Sequence, residues 1–152
     1  RLKTKLYITG KYDKGKQEKW FDEKIRPKID GKNIIFRGIM NFQKKLELYQ
    51  NAKALLFPIQ WEEPFGLVMI EAMACGTPVI CSNTASLPEV VGDAAITVDP
   101  YDVEGLAEMM HQVLKDTNLQ EKLREKGLER ARQFTWERTA RETLAVYREV
   151  CR

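Results

Sequence analysis

Five short apolar runs, each stopped by a turn residue, leave this chain very few ways to fold. Leu6-Tyr7-Ile8-Thr9 stops at Gly10, and the run from Asn33 to Arg37 stops at Gly38. Ala54 to Phe57 stops at Pro58, Pro78 to Cys81 at Ser82, and Ala95 to Val98 at Asp99. Runs this short and this continuously apolar are the mark of strands covered on both faces. Helical stretches at about 16–29, 42–51, 65–75 and 87–91 lie between them. The alternation predicts an α/β fold: a Rossmann-like parallel sheet with helices on both faces, joined by right-handed crossovers. A helical tail follows, at about 103–115, 119–133 and 136–150.

Helix punctuation supports these bounds. Ser86-Leu87-Pro88-Glu89 reads as a capping box with proline in the first turn, and Asn118 with Glu121 has the same signature. Asp102 is placed to cap the helix carrying Leu106, Met109, Met110 and Val113. Gly76 is a C-terminal stop for the 65–75 helix. In the tail, Leu119, Leu123, Leu128 and Ala131 mark one inner face. Trp136, Ala140, Leu144 and Tyr147 recur at helical spacing and mark another, as core or docking surface.

The 152 residues suffice for one domain with a core, and 43% hydrophobic with 31% charged residues reads as globular. A net charge of +3, with both signs interleaved, argues against nucleic acid as a partner. The basic start (Arg1, Lys3, Lys5, Lys11, Lys14, Lys16) reads as a solvated edge. Three cysteines, Cys75, Cys81 and Cys151, lack metal-ligand spacing and point to a reduced, cytoplasmic setting. No run reaches transmembrane length and no signal peptide is visible. The single histidine, His111, reads as a surface or core-edge residue of a helix.

In open α/β sheets ligands sit beyond the carboxyl ends of the strands. The turns there are Gly10 to Tyr12, Gly38 to Asn41, Pro58 to Gly66, and Ser82 to Ser86. The third ends in Glu62-Glu63-Pro64-Phe65-Gly66-Leu67, where a helix begins. The first amides of a helix lack internal partners and suit an anion such as phosphate, and Gly66 allows close approach to the backbone. No G-x-G-x-x-G or G-x-x-x-x-G-K-[ST] occurs, so the dinucleotide and P-loop readings fail. Glu71 is the one charge in Leu67 to Ala74, where a carboxylate needs a partner. It lies eight positions after Glu63, a little over two helical turns, so the two can share a face. Spacing alone leaves two readings open. In one, Glu63 caps the helix and Glu71 reaches solvent; in the other, Glu71 meets a polar ligand group such as a hydroxyl pair. Glu62 reads as loop surface.

Glu63-x7-Glu71, within EPFGLVMIEAMACGTPVI, resembles the E-x7-E signature of retaining GT-B glycosyltransferases of family 4. The resemblance continues through SLPEVVGDAAITVDPYDVEGLAEMM and GLERARQFTWERTARETLAVYREV, and through LYITGKYD and NIIFRGIMNFQKKLELYQNAKALLFP. It implies the C-terminal, donor-binding half of such an enzyme, with a nucleotide diphosphate sugar as donor. Glu71 would accept from the ribose hydroxyls. Glu63 would be the catalytic carboxylate, facing the donor sugar near its anomeric centre. The amides of Phe65, Gly66, Leu67 and Val68 would hold the diphosphate. The turn Gly38-Ile39-Met40 would meet the base, and Gly10 would lie near the donor. No metal or other cofactor is implied; the helix end and cationic side chains would carry the phosphate charge.

The same resemblance implies an N-terminal acceptor-binding domain outside this chain, and a first βα unit that the chain lacks. A gap in the sheet, or a rearranged or strand-swapped pairing that would give a homo-oligomer, is therefore expected. The chain alone is expected not to catalyse transfer, and the full-length enzyme to work in the cytoplasm or at the inner membrane face. The alternative is a non-catalytic α/β scaffold or interaction domain. A receiver-like or flavodoxin-like domain fits less well, because the strand ends lack an acidic cluster and no loop suggests flavin.

Overall fold

The computed structural model describes residues 4–151. Arg1 and Lys3 of the basic start lie outside the described residues. The order is β1 (Leu6–Thr9), α1 (Lys16–Lys24), a 3-10 turn (Arg26–Lys28), β2 (Ile34–Gly38), α2 (Phe42–Asn51), β3 (Leu55–Phe57), α3 (Leu67–Ala74), β4 (Val79–Ser82), α4 (Leu87–Val91), β5 (Ile96–Val98), α5 (Val103–Lys115), α6 (Thr117–Ala131) and α7 (Trp136–Val150). All strand pairing is parallel, as the alternation predicts, and the class is Rossmann-like α/β. The strands pair as two sheets, β1-β2 and β3-β4-β5, rather than as one. The chain divides between Glu47 and Leu48, inside α2, into two compact units.

The first unit holds the β1–β2 pair, in register from Leu6 with Ile34 to Thr9 with Gly38. Asp30 builds the turn into β2: its Oδ1 accepts from the amides of Lys32, Asn33 and Ile34 at 2.7–2.9 Å. Those donors hold its carboxyl well below the usual carboxylate range. Tyr12 stacks on Phe21 at 4.4 Å between centroids, and Phe21 meets Phe36 at 4.9 Å. Phe21 is the buried centre of this cluster. Both strands are only half-covered, contrary to the expectation of burial on both faces: each pairs on one side and the unit's core is small. The helix expected over 16–29 ends at Lys24, because Pro27 has no amide to donate and the chain continues as a 3-10 turn.

In the second unit β4 is buried along its whole length. Its side chains alternate between two cores, as a strand's period of two dictates. Val79 and Cys81 join Met69, Ile70, Ala72, Met73, Leu87 and Val91 from α3 and α4. Ile80 joins Val98, Val113 and Leu123, with Leu106, Met109 and Met110 of α5 around them. The three-stranded sheet thus carries helices on both faces. Helix α6 packs on α3, where Gly127 lies against Met73.

Asp102 caps α5 as expected, accepting from the Gly105 amide at 2.8 Å. Helix α6, however, starts at Thr117 and not 119, because Asp116 accepts from the Leu119 amide at 3.0 Å. The Asn118–Glu121 box is not its cap. Ser86 does not form a capping box either: it is in the helical region and its hydroxyl is used elsewhere. Helix α7 has no buried residue, with Trp136 80% and Tyr147 64% exposed, so its apolar stripe is surface and not core. Among the described residues no helix is long and apolar enough to cross a membrane.

Helix α3 begins at Leu67, later than expected, because Gly66 is left-handed at φ 77° and stands before it. A Cβ on Gly66 would come 2.7 Å from Met69 Cε, 3.1 Å from Leu87 Cδ2 and 3.3 Å from Phe57 Cε1. Met69 Cε can swing aside; Leu87 and Phe57 have less room. Gly66→Ala therefore combines left-handed strain with overpacking, and should cost about 2–3 kcal/mol. A urea midpoint equal to that of the native chain would contradict this. Burial pushes the Cys81 thiol up to about 11, so it stays protonated at pH 8, while Cys151 is exposed. A thiol-titrating disulfide reagent at pH 8 should label Cys151 at once and Cys81 only on unfolding. Rapid native labelling of Cys81 would refute the packing of β4.

Candidate functional site

The loop from β3 to α3 is tied down at several points. The buried Ser82 hydroxyl donates to the Ile59 carbonyl at 2.6 Å, fixing the loop's start to the end of β4. At its far end Glu63 is held three times. Its Oε1 accepts from the Gly66 amide at 3.1 Å, its Oε2 from Trp61 Nε1 at 3.1 Å, and its carbonyl from the Ser86 hydroxyl at 2.7 Å. The carboxylate thus supplies a negative charge and an acceptor just ahead of the positive end of α3. Phe65 is pinned from the side, edge-on to Phe134 at 5.4 Å. Arg130 lies over Phe134 and donates to the carbonyls of Val90 and Glu89, capping the C-terminus of α4.

Glu71 stands in the second turn of α3, half-buried, between the buried Ile70 and Ala72. The Tyr49 hydroxyl donates to its Oε2 at 3.2 Å. Burial, and then the Glu71 charge, push the Tyr49 hydroxyl far up from its ordinary value, so it remains a donor. Burial and the same charge raise the Cys75 thiol. Glu71 therefore has a partner in the protein while its side chain stays half-exposed. Glu62 is exposed, as a loop-surface residue should be.

Gly10, Gly38, Ile39 and Met40 belong to the first unit; Glu63, Phe65, Gly66, Leu67, Val68 and Glu71 belong to the second. The turns after β1 and β2 meet side by side, with the Gly10 amide donating to the Gly38 carbonyl at 3.0 Å. Beyond them Ile39 is exposed and Met40 half-buried. The turn after β4 carries strain: Ala85 has φ 51°, left-handed for a residue with a Cβ, and the buried Thr84 hydroxyl has no partner. A hollow at the α5–α6 junction is lined by His111, Gln112, Lys115, Asp116 and Thr117. It holds the single histidine but none of the candidate donor-site residues, and Asp116 there is spent on capping α6.

Sequence reasoning missed Tyr49, Trp61, Arg130 and Phe134, and gave Ser86 a different role. One of these was within reach. A buried tyrosine must find an acceptor for its hydroxyl and a carboxylate in an apolar helix must find a donor. Two such orphans in one core imply one another. The other four act through backbone carbonyls, ring edges and a loop, which leave no trace in residue spacing.

Known proteins resemble this chain over most of its length. The Escherichia coli O-antigen chain mannosyltransferase B is 44% identical over 101 residues, which is 66% of this chain and 26% of that protein. Glycogen synthase of Mycobacterium tuberculosis is 33% identical over 147 residues, 95% of this chain and 34% of that protein. The solved sucrose-phosphate synthase of Thermosynechococcus elongatus superposes with a TM-score of 0.81 at 31% identity, over 96% of this chain and 38% of that one. HepE of Anabaena, solved with UDP-glucose, shares the fold at a TM-score of 0.79 and 21% identity, over 96% of this chain and 41% of its own. The chain thus spans about a quarter to two fifths of the length of these proteins. The family model described as glycosyl transferases group 1 matches residues 1–130, and the chain belongs to that family.

Proposed function

We propose that this chain is the donor-binding half of a retaining glycosyltransferase, taking a nucleotide diphosphate sugar. Transfer of the glycosyl group to an acceptor hydroxyl would then need a further, acceptor-binding domain in addition to this chain, which spans 26% to 41% of the length of the relatives described above. The observation that carries this reading is the pair of restrained carboxylates on α3, one before its first turn and one in its second, in a chain of this family. HepE supports the ligand class, since it was solved with UDP-glucose.

The amides of Phe65, Gly66, Leu67 and Val68 would take the diphosphate. Glu63 now holds the Gly66 amide, so an arriving diphosphate competes with it. Two anions cannot share one donor, and the more highly charged one wins the helix end. Glu63 then turns from cap to catalytic residue, facing the sugar and stabilising positive charge at the anomeric carbon as the bond to phosphate breaks. Glu71 accepts from the ribose hydroxyls. The family resemblance assigns the turn Gly38-Ile39-Met40 to the base and Gly10 to the neighbourhood of the donor. No metal is invoked; the amides at the end of α3 would offset part of the phosphate charge. A cytoplasmic setting fits three free cysteines and a nucleotide-sugar donor.

Titration of the chain with UDP, GDP and ADP, followed by two-dimensional NMR, tests this. One nucleotide should shift residues 63–71 saturably, with EDTA making no difference. Glu71→Ala should weaken binding about 10- to 100-fold, the loss of one or two hydrogen bonds to a charged group. Glu63→Gln should bind the nucleotide at least as tightly, because it removes a competing anion, yet abolish transfer in the full-length protein. A folded chain that binds none of the three would instead be a non-catalytic α/β module. A Glu63→Gln chain that loses nucleotide binding would refute the exchange at Gly66.

A further inference from the structure

Tyr49 is buried at 8% exposure in the last turn of α2, in the same core as Met69, Ile70, Ala72 and Met73. Its ring is fixed by that packing. Its backbone carbonyl accepts from the Thr77 hydroxyl at 2.6 Å, and Thr77 is itself only 3% exposed. Its hydroxyl reaches Glu71 Oε2 at 3.2 Å. Thr77, Tyr49 and Glu71 form a relay in which each member is oriented by the one before it.

A glutamate has three rotatable side-chain bonds, and one that turns freely must be ordered when it meets a ligand. An ionised carboxylate has about four acceptor sites, so a donor at one of them orients the group while leaving it able to accept from others. We propose that Tyr49 is a positioning residue for ribose recognition: its hydroxyl holds the Glu71 carboxylate in the orientation that accepts a vicinal diol. Thr77 holds Tyr49 in turn. The inference rests on the donor-binding role of Glu71. At 3.2 Å the bond is longer than a strong charge-assisted one, so its effect is moderate.

The test is calorimetry on the protein with the nucleoside diphosphate it binds among UDP, GDP and ADP, and with that nucleotide's 2′,3′-dideoxy form. Tyr49→Phe keeps the ring and removes only the hydroxyl. It should weaken the ribonucleotide about five-fold, leave the dideoxy nucleotide unchanged, and add nothing in a Glu71→Gln background. Equal weakening of both nucleotides would mean a merely structural role, and no weakening would mean none; either overturns the inference while the donor reading stands. Failure of the native protein to bind any of the three overturns both. The native protein gives an independent readout should Tyr49→Phe not fold. With 13Cζ-labelled tyrosine, the Tyr49 signal should move on saturation with the ribonucleotide and stay put with the dideoxy form; a signal indifferent to the ribose hydroxyls sinks the relay.

Discussion

Helix α3 has almost no polar surface to offer solvent, and much of the second unit follows from that. Met69, Ile70, Ala72 and Met73 must all be covered. Sheet and α4 cover one part of the helix and α6 another, with Gly127 on α6 placed where a side chain would strike Met73. Gly76 ends it at φ 72° and returns the chain into β4, itself buried on both faces. A helix enclosed this way presents its N-terminus, and there Leu67 is 55% exposed. The first-turn amides, with the Gly66 amide held by Glu63, therefore stand at the open end of a helix whose one charged side chain is Glu71.

At Gly66 the demands of the fold and of the proposed donor site fall on one residue. Close approach by a ligand would explain it, but so does the fold alone. The left-handed turn needs a residue without Cβ, and the space that a Cβ would fill is already held by Met69, Leu87 and Phe57. The core therefore requires the same glycine that an anion at the helix end would. A site of this kind comes preformed by packing, which lowers the ordering cost of binding.

The strands and most helices were legible because their signal is burial periodicity, summed over many residues. All five strands stand within one residue of the runs that announce them, and α2, α4, α5 and α7 match their stretches. What failed were single-residue signals with more than one outlet. Ser86 has the pattern of a capping box, but a hydroxyl is also a donor, and the Glu63 carbonyl claims it. Asn118 lost its place to Asp116, whose carboxylate is the better acceptor at a helix N-terminus. The stripe on α7 shows amphipathicity plainly, but periodicity says only that a face is apolar, not what covers it.

The two carboxylates were visible as a pair, while the difference between them was not. Glu63 is held by an amide and a solvent-exposed indole, both neutral donors at 3.1 Å. Water or a ligand can replace either at little cost, so this carboxylate is free to exchange partners. Glu71 is held by a tyrosine whose residue is 8% exposed and packed into the core. A ring held by core packing cannot swing away as an exposed indole can, so the pair stays made. Identical side chains eight positions apart thus have opposite mechanical character. On the proposed function, the carboxylate that would meet a changing charge is the exchangeable one, and the carboxylate that would accept from an unchanging diol is the fixed one. That division comes from the depth of each residue's partner in the core, a property of three-dimensional packing that no spacing rule contains.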